Sequence, residues 1–259
     1  MSLAEEVHRI QLTLHYDGTR FHGWQAQRVG RTVQGDIEAA VERLTGRRRP
    51  VVASGRTDTG VHATGQVASV DVPVRWSDAE LRKAMNAVLP RDVWVADARL
   101  VRPDFHPRYH AIRRTYTYRI GQAPDAWSPF QRPWCWPLLD ALDPALLDAA
   151  AAELPGERSF RAFAKSGQPH RGDVCRVDEA RWTPWELGTS FTITADRYLH
   201  HMVRYLVGTM VDVARGRRPA EHVPGLLSGA DHLTTSPPAP PEGLFLARVD
   251  YTDGAAGPP

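Results

Sequence analysis

The chain has 259 residues, 42% of them hydrophobic and 24% charged, with a formal net charge of +2. That length suits one large domain or two small ones, no stretch approaches the roughly 18 apolar residues of a membrane span, and the charge is too small to argue for nucleic acid by itself. Two cysteines, Cys135 and Cys175, exclude a disulfide scaffold and point to a reduced, cytoplasmic setting, and MSLAEEVHR lacks the basic start and apolar run of a secretory signal.

RIQLTLHYD (9–17) alternates apolar and polar residues and reads as a strand with one buried face. TVQGDIEAAVERLTG (32–46) carries Val33, Ile37, Val41 and Leu44 at helical spacing and ends on Gly46, a C-terminal cap. RRPVVAS (48–54) predicts a short strand, and QVASVDV (66–72) a second alternating one. SDAELRKAMNAVL (77–89) predicts a helix capped by Ser77 and closed by Pro90, followed by the strand VWVADARLV (93–101). The order is β-α-β-β-α-β.

The second half repeats that order without repeating residues. RRTYTYRI (113–120) reads as a strand, and DPALLDAAAAEL (143–154) as a helix with Asp143 as N-cap and Pro144 in its first position. DVCRVDEARWT (173–183) and SFTITAD (190–196) predict two strands joined by a turn at 186–188. HHMVRYLVGTMVDVARG (200–216) predicts a helix, residues 220–227 a short one that Pro224 disfavours, and GLFLARVDY (243–251) a last strand. Both halves therefore have the split β-α-β layout of ferredoxin-like units, expected at 1–105 and 106–252. Residues 102–109 read as the link. Residues 121–137 form a Trp- and Pro-rich excursion, TTSPPAPPEG (234–243) is too proline-rich for helix or central strand, and 253–259 is expected to be disordered.

Lys83 and Lys165 are the only lysines among 32 basic residues. Arginine forks suit phosphates and stack on bases, although a GC-rich genome also favours arginine. The arginines cluster at 47–49, 113–114 and 215–218, where a phosphate backbone could dock.

The chemistry concentrates in ASGRTDTGVHATGQV (53–67). Asp58 lies between Thr57 and Thr59, Gly55 and Gly60 bracket the group, and Arg56 is two residues upstream. In an extended segment Arg56 and Asp58 point the same way, and the guanidinium favours an ionised carboxylate. That state suits a nucleophile or base. A plain Asx or ST turn explains the same residues. Asp58 and His62 are four apart, but the segment is broken by glycine and no HExxH or paired CxxC occurs, so a catalytic metal is not expected. GxSxG, GxxxxGK[ST] and GxGxxG are absent, which leaves esterase, nucleotide-hydrolysis and dinucleotide readings without support.

HYDGTRFHGWQAQ, TVQGDIEAAVERLTG, SGRTDTGVHATGQV, MNAVLP with DFHPR, RRTYTYRI, HHMVRYLVGTM and EGLFLARVDY together resemble the tRNA pseudouridine synthase A family, in that family's order and over residues 9–252. The resemblance implies an α+β pseudouridine synthase fold, with two ferredoxin-like halves, a merged antiparallel sheet and a central cleft. It implies conversion of uridine to pseudouridine in the anticodon stem-loop of tRNA, with no metal or other cofactor, no membrane, and a homodimer. Asp58 matches the family's essential aspartate, Arg56 the arginine paired with it, and Tyr116 the tyrosine that stacks on the target uracil. The family also sets a leucine of the last strand against the base. Leu244 and Leu246 both qualify, and Leu246 is favoured. Arg204, beside His201 and Met202, is a candidate for a phosphate or site-supporting contact. The basic groups at Arg20, Arg47–Arg49 and Arg113–Arg114 are candidates for the tRNA backbone. Arg197 and Tyr205 depart from the family's usual residues and leave detailed RNA contacts open. A related synthase with another RNA target, and a non-catalytic RNA-binding protein on the same fold, remain rival readings.

Overall fold

The structure, a computed structural model, describes residues 5–165, 172–230 and 232–252. The expected tail lies outside them. The chain divides into two compact units, one of residues 1–112 with 246–259 and the other of residues 113–245. The boundary falls later than expected at 105, and most of the last strand returns to the first unit.

In the first unit β1 (Val7–Tyr16) pairs antiparallel with β3 (His62–Pro73) and with β4 (Val93–Val101). Beyond β3, β2 (Val52–Ala53) pairs only at Ser69 and Ala68. The order β4-β1-β3-β2 is that of a ferredoxin-like half. The second strand is shorter than expected because Pro50, within the predicted run, has no N–H for a ladder. The vacated side of β3 is taken by the first-unit part of β10 (Leu244–Tyr251). Gly65 permits this approach, since a Cβ there would lie 2.1 Å from the Ala247 carbonyl oxygen. α1 (Val33–Thr45) runs between an N-cap at Thr32 and a left-handed Gly46, and buries Val33, Ile37 and Val41. α2 (Asp78–Val88) begins with a capping box formed by Ser77 and Glu80. It is stitched to β4 by Asn86, whose amide donates to Val95 O (2.9 Å) and accepts from Val95 N (2.8 Å).

In the second unit β5 (Ala111–Gly121) pairs with β9 (Gly188–Ala195), β9 with β8 (Val174–Trp185), and β8 with β7 (Gly156–Ser159). β6 (Trp136–Pro137) adds a short parallel pair to β5. The helices are α3 (Pro144–Ala152), α4 (Met202–Ala214) and α5 (His222–Leu227). α5 forms despite Pro224, which stands in its first turn, where a missing N–H costs no intrahelical bond. The proline-rich segment is anchored on α4. Arg204 Nε donates to Ala239 O (2.7 Å) while Ala239 N donates to Arg204 O (2.9 Å), and Ser236 N donates to Thr209 Oγ1 (3.2 Å). Among the described residues no helix is long and apolar enough to cross a membrane.

Cys135 and Cys175 are both free and fully buried. Burial pushes the Cys135 thiol up and the Cys175 thiol to about 11, so both are protonated near neutral pH and have little thiolate to offer. Neither is expected to react with a disulfide reagent at pH 8 in the folded protein, and both in 6 M guanidinium; rapid labelling of the native chain would contradict the packing.

Candidate active site

The segment 54–61 leaves the sheet between β2 and β3, and its main chain is held from the side by the residues that follow β1. Trp24 N donates to Thr57 O (3.0 Å), and Gly60 N donates to Phe21 O (3.3 Å). Val61 N closes a turn onto Asp58 O (3.1 Å), with Gly60 at φ +78°. Contact is too close for side chains at the matching glycines. A Cβ on Gly18 would lie 2.1 Å from Val61 O, and one on Gly23, itself at φ +84°, 2.7 Å from Thr57 O. The holding segment is itself fixed against the start of α1, where Gln34 N donates to Trp24 O (3.0 Å) and His22 N to Arg31 O (2.8 Å). Phe21 and Trp24 are packing residues, each 2% exposed, and the Arg31 guanidinium lies 4.2 Å over the Phe21 ring.

Side chains complete the clamp. Tyr16 and Thr57 share a hydroxyl–hydroxyl bond of 2.8 Å. Gln66 accepts from Ser54 Oγ (2.7 Å) and donates to Gly55 O (3.0 Å). At the other end, Gly18 N donates to His62 Nδ1 at 3.0 Å, and Asp17 Oδ1 lies 3.2 Å from the same nitrogen. Both contacts converge on this one ring nitrogen and brace His62 at the end of the loop.

Within this frame Thr57 is buried, Asp58 half-buried and Arg56 exposed. Arg56 and Asp58 do not form the local pair expected from their spacing: no ion pair among the described residues joins them. An exposed guanidinium gains little from such a pair and loses side-chain freedom by making it.

Tyr116 and Tyr118 share one face of β5 but differ in setting. Tyr118 has 0% exposure, and its hydroxyl donates to Pro240 O (2.8 Å), so it belongs to the core. Tyr116 is half-buried and meets Tyr198 edge-on, with centroids 4.8 Å apart and planes at 76°. The Tyr198 hydroxyl is shared between Arg114 O and Ile193 O, each at 2.9 Å. Burial, with a smaller push from Tyr116, holds the Tyr198 phenol well above its ordinary range.

Leu246 has 0% exposure and Leu244 5%. Leu246 is thus fully enclosed in this structure. Arg204 spends its Nε on the proline-rich segment, which is a supporting contact. Asp58, Arg56 and Leu246 belong to the first unit, Tyr116 and Arg204 to the second.

Most of the arginine clusters are engaged internally. Arg48 pairs with Glu38 (3.3 Å), Arg49 with Glu5, Arg113 with Asp178 (2.7 Å) and Arg215 with Asp140. Arg20, Arg47 and Arg56 are exposed and enter no ion pair among the described residues. Sequence reasoning missed Tyr16, Gln66 and Tyr198, whose partners are distant in the chain. It placed His201 on a helix, whereas His201 is the N-cap of α4 at φ +64°, the one non-glycine residue in that region among those described.

The first unit, with its ferredoxin-like strand order and a half-buried carboxylate on a braced loop, and the second, with its own helices and mainly antiparallel strands, define an α+β protein. The tRNA pseudouridine synthase family model matches residues 13–110 and 150–252. The chain is 39% identical over 253 residues to tRNA pseudouridine synthase A of Maridesulfovibrio salexigens, covering 97% of this chain and 93% of that one. It is 41% identical over 246 residues to the enzyme of that name from Moorella thermoacetica, covering 93% and 99%. For Solidesulfovibrio magneticus the figures are 42% over 260 residues, covering 97% and 94%. The chain belongs to the tRNA pseudouridine synthase family, and it has that family's α+β fold.

Gly23→Ala tests the brace. It is expected to cost about 1–3 kcal/mol, because the new methyl meets main chain and the backbone is left-handed. The amide resonances of residues 57–60 should move with it; a spectrum changed only around residue 23 would show the loop to be independent.

Proposed function

We propose that this chain isomerises uridine to pseudouridine in the anticodon stem-loop of tRNA, with Asp58 as the reacting carboxylate. The observation that carries the reading is the position of Asp58, half-buried on a loop whose neighbours are fixed by main-chain and side-chain bonds, in a chain of this family. Preorganisation of this kind keeps a reacting group within reach without reordering it at each turnover.

The reaction balances without an outside reagent. The bond between N1 and the sugar C1′ breaks, the base turns, and C5 bonds to C1′. C5 loses its proton and N1 gains one. No electrons are exchanged, so no redox partner is required. Asp58 acts as nucleophile, or as base at the sugar. One acid is enough, since the leaving base stays bound and returns as the attacking group.

Tyr116 is proposed to stack on the target uracil. Stacking tolerates a turning base better than fixed hydrogen bonds do, and a half-buried ring has a face to offer. Arg56 is exposed, and is suited to fill the space left when the nucleotide flips from its stack. Arg20 and Arg47 are proposed as backbone contacts, and Arg204 as support through the proline-rich segment. Leu246 backs the site from within the core. A homodimer and a cytoplasmic setting follow from the family resemblance and stand as part of this proposal.

Asp58→Ala is expected to abolish tritium release from [5-³H]uridine-labelled tRNA while leaving tRNA retention on filters largely intact. Release at the wild-type rate would sink the assignment. Tyr116→Phe keeps the stacking ring; a slower release with unchanged binding is expected if the hydroxyl helps to remove the C5 proton, and an unchanged rate would reduce Tyr116 to a platform.

A further inference from the structure

Four buried polar side chains meet beside the loop. Ser54 is 1% exposed, Gln66 0%, Thr57 6% and Tyr16 4%. Their bonding can be assigned from chemistry. Gly55 O can only accept, so the Gln66 group 3.0 Å from it is the NH₂, and the oxygen faces Ser54 Oγ at 2.7 Å. The second hydrogen of that NH₂ is directed to the Tyr16 hydroxyl at 3.5 Å. Tyr16 accepts from Gln66 and shares a hydroxyl–hydroxyl bond with Thr57 Oγ1 at 2.8 Å. The relay starts at the residue opening the loop and ends at the residue preceding Asp58. It touches the loop at Ser54, Gly55 and Thr57, all within four residues of Asp58.

A turn needs none of this, since main-chain bonds from Trp24 and Phe21 already hold its backbone. Burying a polar group without a partner costs stability, so a loop with only a folding role would be better lined with apolar side chains. We propose that Tyr16, Thr57 and Gln66 are positioning residues, which act through the main chain of the loop to set the direction of the Asp58 carboxylate. The inference rests on the isomerase reading. It makes the Tyr16–Thr57 bond a determinant of turnover rather than of tRNA affinity.

The test is a double-mutant cycle on tritium release, with melting temperatures measured in parallel. Tyr16→Phe and Thr57→Val each remove one hydroxyl at nearly constant volume. Each should lower kcat about tenfold, as expected when a reacting group is slightly misplaced, with KM changed less than about twofold. The double variant should be no slower than the slower single one, since either change already breaks the bond. Thr57→Ser keeps the hydroxyl and should restore most of the turnover. Thr45→Val is the control: it deletes a comparably buried hydroxyl, bonded to Val41 O at 2.9 Å, and should lower the melting temperature but not kcat. Wild-type kcat in Tyr16→Phe and Thr57→Val, or losses that add in the double variant, would overturn the inference and leave the isomerase reading in place. No release by the wild type itself would overturn both.

Discussion

The main-chain bonds between the segment after β1 and the loop before β3 are what the candidate site depends on. Trp24 N to Thr57 O and Gly60 N to Phe21 O replace the ladder that a loop lacks. They require the two segments to pass at backbone distance. Gly18 and Gly23 allow it, since any Cβ would meet carbonyl oxygen. The rest follows outward: Phe21 and Trp24 fill the core behind the contact, and α1 with the residues leading into it fixes their other side through Gln34 and Arg31. A carboxylate that must meet a turning base needs such a frame. Its own side chain has to stay accessible, so the rigidity has to come from its neighbours.

Aromatic residues divide the same labour in the second unit. Tyr118 and Tyr116 are two positions apart on β5, yet only Tyr118 is consumed by the core, through its bond to Pro240 O. Tyr198 supports Tyr116 from the edge and leaves it half-exposed. The proline-rich segment, which looks like a bare linker in sequence, is a packed element. It supplies the acceptor for Tyr118 and is itself tied to α4 by Arg204 and Thr209.

Local pattern carried most of the architecture. α1 ends at Gly46 and α2 is capped by Ser77, both as local pattern predicts. The strand at 93–101 falls on its alternation. The two-residue connection at 186–187 sits within the expected turn. What local pattern could not carry was anything set by distant partners. Pro50 cut the second strand short, and the last strand returned to the first unit. Arg56 was expected to pair with Asp58 because the two are close in sequence, but water competes for an exposed guanidinium. The arginine clusters read as free positive charge, whereas Glu38, Glu5, Asp178 and Asp140 neutralise most of them from elsewhere in the chain. Asp58 and Tyr116 stood out through their motifs. Tyr16, Gln66 and Tyr198 did not, because a buried hydroxyl or amide has no signature until its partner is known.

The most direct test of the account is the product itself. An unmodified tRNA transcript would be incubated with wild type or Asp58→Asn in the presence of EDTA, then digested to nucleosides and separated by chromatography. The account predicts pseudouridine from the anticodon arm with wild type and none with Asp58→Asn, which keeps the side-chain size and loses only the carboxylate. Pseudouridine formed equally by both proteins, or by neither, would contradict a single braced carboxylate as the centre of the reaction.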